Sequence, residues 1–186
     1  MNKKLIIIEG FDRCGKDTLL KDLSNINLPN TYIYFNDLEG LPKYDKEEEN
    51  FLEWLNKFIQ LQINQLNKLF DIYDNVIMTR FIISDEVYSN LFNREHTVIK
   101  YINELRKDIS INNFCILFKN YNEYLKRINN IKEEIQYSEL DFNQINELYR
   151  NELNKSNFNK LLYDIYSDTT KESILENFLT IYNYDK

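Results

Sequence analysis

Alanine is absent from this 186-residue chain, and glycine, proline, cysteine, tryptophan and histidine are all scarce. Each shortage excludes something. Two cysteines, Cys14 and Cys115, are too few for a disulfide framework and show no metal-type spacing. Cys115 lies in an apolar run and reads as core, so a reducing, cytoplasmic setting is expected. The single histidine, His96, has no cluster around it in sequence, which argues against a zinc site or a Ser-His-Asp arrangement. With two prolines and three glycines there is no linker, and residues 1–186 are read as a single domain. Long apolar runs are missing as well. The opening "MNKKLIIIEG" meets glycine too soon for a signal peptide, and no stretch reaches membrane-spanning length, so no membrane partner is expected. Positive charge is the last deficit: 23 basic residues face 30 acidic ones, a net −7. Such a balance suits broad binding to nucleic acid or anionic membrane poorly, while leaving room for a local basic patch. It does not exclude small nucleotides, which need only a few focused donors.

The chain is instead rich in Asn, Ile, Lys and Tyr, a bias that AT-rich coding imposes; "NLFNREHT" and "NELNKSNFNK" are therefore not read as prion-like. Hydrophobic residues make up 43%, enough for a full core. "LIIIEG" (5–10) reads as a buried parallel strand and "DTLLKDLS" as a helix. A second strand is expected at 31–37, then a loop at 38–50. A long helix follows at 51–70, with the stripe Leu52, Leu55, Ile59, Ile63, Leu66 and Phe70. Strands are expected at 75–79, 113–119 and 161–166, and helices at 85–92, 97–107, 121–129 and 141–153. The last helix opens at "TTKE", where Thr169 and Glu172 fit a capping box. This alternation predicts an α/β fold, a three-layer doubly wound sheet of five parallel strands. Chemistry is then expected beyond the carboxyl ends of the strands, near residues 10, 36, 79, 120 and 167.

Two of the three glycines, Gly10 and Gly15, fall in "EGFDRCGKDT" and satisfy the spacing GxxxxGK between a strand and a helix. That pattern curls a backbone so that successive N–H groups meet phosphate oxygens, with Lys16 reaching the β- and γ-phosphates. Gly10, Cys14, Gly15, Lys16, Asp17 and Thr18 are the candidate phosphate-binding residues.

"EGFDRCGK" also resembles the loop of the thymidylate kinase and deoxynucleoside kinase family, commonly E-G-x-D-x-x-G-K. Further matches come in family order: "VIMTRFIISDEVYS" resembles its D-R-[YF] strand segment, "YNEYLKRINNIKEE" its helical lid, placed at about 121–140, and "YDIYSDTTKESI" its adenine-cradling segment. The resemblance implies a P-loop kinase using ATP and Mg²⁺ on small-molecule nucleotides, with a homodimer as a family-level expectation. It implies that Lys16 neutralises the donor phosphates, that Arg13 reaches the transferred group, that Asp12 holds the acceptor's deoxyribose or its phosphate-linked water, and that Arg80 grips the acceptor phosphate. A plain surface salt bridge is the bland alternative for Arg80. Lys126, Arg127 and Lys132 are lid candidates, although "KRINNIKEE" also fits a solvated helix face. Ser167, Asp168 and Thr169 would line the adenine. Asn36, Phe58 and Gln62 would meet the acceptor, Phe58 stacking on its base and Gln62 reading its edge; Trp54 competes for the stacking role.

Two positions depart from that pattern. Where a hydroxyl residue normally follows the loop lysine stands Asp17, with Thr18 keeping the next hydroxyl, and the acidic residue of D-R-[YF] is Thr79. A carboxylate lost from the third strand is thus matched by one gained at the loop, making Asp17 and Thr18 the candidate Mg²⁺ ligands. The expected activity is phosphoryl transfer from ATP to a deoxynucleoside monophosphate, most simply dTMP to dTDP. The alternatives are a deoxynucleoside kinase, with Asp37 or Glu39 as general base, and a non-catalytic nucleotide-binding regulator.

Overall fold

The computed structural model describes residues 3–35, 49–131 and 137–182. Within them five strands form one sheet: β1 (Lys3–Gly10), β2 (Thr31–Tyr34), β3 (Asn75–Thr79), β4 (Ile109–Phe118) and β5 (Asn159–Ile165). The order is β2-β3-β1-β4-β5 and every pairing is parallel. The helices are α1 (Lys16–Ser24), α2 (Glu49–Ile72), α3 (Ile82–Phe92), α4 (Val98–Tyr101), α5 (Tyr121–Ile131), α6 (Glu139–Lys155) and α7 (Lys171–Ile181). Packing of α1 against α7 and of α3 against α6 covers the sheet on both faces. The three-layer α/β architecture expected from the alternation is what the chain adopts.

Central β1 shows why its sequence is a continuous apolar run rather than an alternating one. Leu5, Ile6, Ile7 and Ile8 are all fully buried, because a parallel strand sandwiched between helix layers has no solvent face. On α2, Leu55, Ile59, Ile63, Leu66 and Phe70 fill the core while Leu52 packs at its edge, as the three-and-four spacing requires.

The structure corrects several boundaries. Helix α2 begins at Glu49, inside the segment read as a loop. The helix expected over 97–107 is cut to α4 and a 3₁₀ turn at Ile102–Glu104. There the side chain of Asn67, on α2, donates to Glu104 O and accepts from Arg106 N, capturing backbone groups that a continuing helix would use. The capping box at Thr169 does not form. Thr169 Oγ1 accepts from Tyr166 N, and Thr170 caps α7 instead, accepting from Ser173 N at 3.1 Å. Asn36, Asp37, Glu39 and Lys132 lie outside the described residues.

Candidate active site

The turn from β1 into α1 is shaped by its glycines. Gly10 has φ 133°, and a Cβ there would lie 1.9 Å from Ile116 O, so only glycine lets β1 leave the sheet this close to β4. Gly15, at φ 95°, starts α1 with no side-chain cap, so the positive end of that helix dipole meets no acceptor from its own cap. Between them Arg13 is held in the left-handed region at φ 67° and is exposed. Lys16 is buried, its ammonium donating to Phe11 O at 2.6 Å and lying 3.7 Å from Cys14 Sγ. Cys14 is fully buried and burial pushes its thiol up, so it packs the loop from beneath as a neutral group.

Arg80 reaches the same place from the end of β3. Its amide donates to Ile8 O, its backbone is left-handed at φ 50°, and its Nη2 lies 2.8 Å from Asp12 Oδ1. What fixes this strand end is Glu9, for which no local pattern in the sequence signals such a role. Its buried carboxylate accepts from the amides of Phe81, Ile83 and Ser84 and from the Ser84 hydroxyl. The first turn of α3, whose N-cap Phe81 offers no side-chain cap, is thereby capped from another strand. Burial raises the Glu9 carboxyl above its ordinary value, against the pull of those four donors.

Asp12, Arg13, Gly15, Lys16, Asp17, Thr18, Arg80 and Arg127 line one cavity of about 490 Å³. Four cations against two carboxylates make a positive basin in a chain of net charge −7. Arg127 arrives from α5 and donates to Thr169 O at 2.8 Å, tying that helix to the turn after β5. In the same turn Ser167 N donates to Glu123 at 2.7 Å, Lys126 pairs with Glu123 at 2.8 Å, and Asp168 is exposed. The bond to Lys126 and that from Ser167 pull Glu123 down to about 2. Lys126 is therefore spent on the helix surface rather than aimed at the cavity.

Asp12 sits at the junction. Burial pushes its carboxyl up, but Arg80 first, then Lys16, a hydrogen bond from Tyr137 and Arg13, hold it below the usual carboxylate range. Burial works against the Arg80 charge, but Asp12 together with Tyr88, Tyr149 and Asp17 outweighs it, so its charge is secure. Tyr88 on α3 stands near both; burial and the Asp12 charge push its phenol up to about 12, Arg80 opposing them. The two α2 residues expected to meet the base are separate from the cavity lining: Gln62 is buried, and half-buried Phe58 stacks on Trp54 at 5.2 Å. Phe51 extends that aromatic face. Thr79 is buried at the end of β3.

The five-stranded parallel order, with a glycine-bounded loop leading from β1 into α1, is a fold the chain shares with solved nucleotide kinases. No protein-family model matches the chain, and no curated protein does. Among solved structures it is similar to deoxyadenosine kinase from M. mycoides bound to dCMP and dCDP, with TM-score 0.63, 17% identity and coverage of 97% of this chain and 100% of the other. The YorR protein of Bacillus subtilis, in complex with phosphorylated GDP, aligns at TM-score 0.61 and 20% identity over 96% and 95% of the two chains. Thymidylate kinase from Candida albicans gives 0.60 and 15% over 98% and 92%.

Proposed function

We propose that the chain transfers the γ-phosphoryl group of ATP to the phosphate of a deoxynucleoside monophosphate, dTMP being the first candidate, releasing ADP and a diphosphate. The observation that carries this reading is Arg80, held by Asp12 across the same cavity that contains Lys16. Two cationic grips on one basin suit two phosphate-bearing substrates: Lys16 with the free end of α1 for the donor, Arg80 for the acceptor. Arg80 spends one nitrogen on Asp12 and keeps further N–H groups for the acceptor phosphate. Arg13, exposed on the loop rim, is placed to neutralise charge on the group in transit. Transfer needs in-line positioning and charge neutralisation more than a base, and the acceptor phosphate is already an oxyanion.

A nucleoside acceptor would require a general base to deprotonate its 5′-hydroxyl. Asp12 suits that poorly, because its carboxylate is depressed and already shared between Arg80 and Tyr137.

Mg²⁺ usually binds through one or two carboxylates plus substrate phosphates. Among the described residues no group of three or more His, Cys, Asp or Glu side chains could hold an ion unaided. Asp17 and Thr18, adjacent in the first turn of α1 and exposed on the cavity wall, fit that sparse donor set. The ion, when bound with ATP, supplies charge neutralisation on the donor phosphates.

The test is to offer ATP with Mg²⁺ and a panel of deoxynucleosides and their monophosphates, and to follow ADP. Turnover with monophosphates alone is expected. Turnover with nucleosides alone would transfer the assignment to a deoxynucleoside kinase. Nucleotide binding without turnover on any acceptor would make the chain a nucleotide-binding regulator.

A further inference from the structure

Tyr137, just ahead of α6, is held from several directions at once. Its backbone N–H donates to Tyr124 Oη at 2.9 Å, and its carbonyl accepts from Tyr121 Oη at 3.2 Å. Its ring meets Phe11 edge-on, centroids 5.1 Å apart. Phe11 in turn packs among Phe118, Tyr124 and Phe142, so the post is rooted in the aromatic core beneath the phosphate loop. So much anchoring leaves the phenol with one direction to point. It donates to Asp12 Oδ2 at 2.8 Å, while Arg80 Nη2 holds Oδ1 at the same distance.

We infer that Tyr137 is a positioning residue: its hydroxyl locks the Asp12 carboxylate in the one rotation that presents Oδ1 to Arg80, and so aims the guanidinium at the acceptor phosphate. A carboxylate held by one partner swings about its Cβ–Cγ bond; a second donor on the other oxygen removes that freedom. The planar fork of arginine transmits the orientation, because a bidentate grip on phosphate tolerates little rotation. The inference rests on the reading of Arg80 as the acceptor grip. The groups around Asp12 are Arg80 from the end of β3, Lys16, Arg13 and the Cys14 thiol from the loop, Tyr88 from α3, Tyr124 from α5, and Tyr137 itself. Of these, Tyr137 is the neutral group that hydrogen-bonds to the carboxylate.

The test is Tyr137→Phe in the full chain. The ring and its contact with Phe11 remain, and only the hydroxyl goes. The Asp12 carboxyl, followed by carbon-detected NMR titration without nucleotide, is expected to titrate at higher pH than in the parent, since a donor to its ionised form is lost. With an active acceptor, its kcat/KM is expected to fall about tenfold with the KM for ATP unchanged. In an Asp12→Asn background the same tyrosine change is expected to add nothing, because the group it orients is gone. An unmoved Asp12 titration, or an effect that simply adds to Asp12→Asn, overturns the inference, whatever Tyr137→Phe does to stability. If no acceptor is turned over, the proposed function fails separately, and the NMR titration still decides whether Tyr137 holds Asp12.

Discussion

At the scale of single residues, the site contains side chains that act by charge and others that act by absence. Gly10 belongs to the second kind. Both its φ of 133° and the 1.9 Å approach to Ile116 O forbid a Cβ, and the clashing atom is backbone in a central strand. Gly10→Ala is expected to cost about 3 kcal/mol or more, read as a lower urea midpoint at unchanged slope. Arg80 belongs to the first kind. Arg80→Lys keeps the positive charge but loses the fork that, under the proposed function, serves Asp12 and the acceptor phosphate together. A fall of about 10²-fold in kcat/KM for the acceptor is expected, with ATP binding intact by calorimetry. Asp17 is the residue whose role is easiest to isolate. Asp17→Asn keeps its shape, so a rise in the Mg²⁺ concentration needed for half-maximal turnover would mark it as a metal-side ligand. An unchanged Mg²⁺ requirement would remove it from that role.

At the scale of elements, much of the fold was legible because period and punctuation agree. The strand β1, the stripe on α2 and the glycine-bounded loop are each local patterns, and each reaches its expected place. What was not legible came from partners distant in sequence. Glu9 caps α3 from across the sheet, which starts that helix at Ile82 instead of near residue 85. Asn67 stops the helix after α4. Tyr137 meets Asp12 across 125 positions, and no spacing in the sequence announces such a contact. The turn after β5 offers a pH test at this scale. Glu123 is held down to about 2 by Lys126 and by Ser167 N. A depressed carboxylate contributes stability above its ordinary value of 4.5 and loses it as pH falls towards about 2. Protection of the Ser167 amide, its exchange measured against the intrinsic rate at each pH, is therefore expected to fall across that acid window, and Glu123→Gln should flatten the dependence.

At the scale of the whole molecule, an excess of negative charge and a positive basin must coexist. The surface field disfavours long polyanions, since each phosphate outside the basin meets net negative charge. The basin favours compact ones, because four cations converge where the strands end. Ligand-linked stability separates these two terms. A nucleotide bound only by the folded state stabilises it by RT ln(1 + [L]/Kd), about 2.7 kcal/mol at a hundredfold excess over Kd. ATP is expected to raise the melting temperature of the parent in step with its concentration, and to do so far less in Lys16→Ala, where the buried ammonium of the loop is lost. A single-stranded oligonucleotide at equal phosphate concentration should leave both unchanged. If ATP stabilised Lys16→Ala as strongly as the parent, the donor would lie elsewhere; if the oligonucleotide matched ATP, the charge argument against polynucleotide substrates would fall.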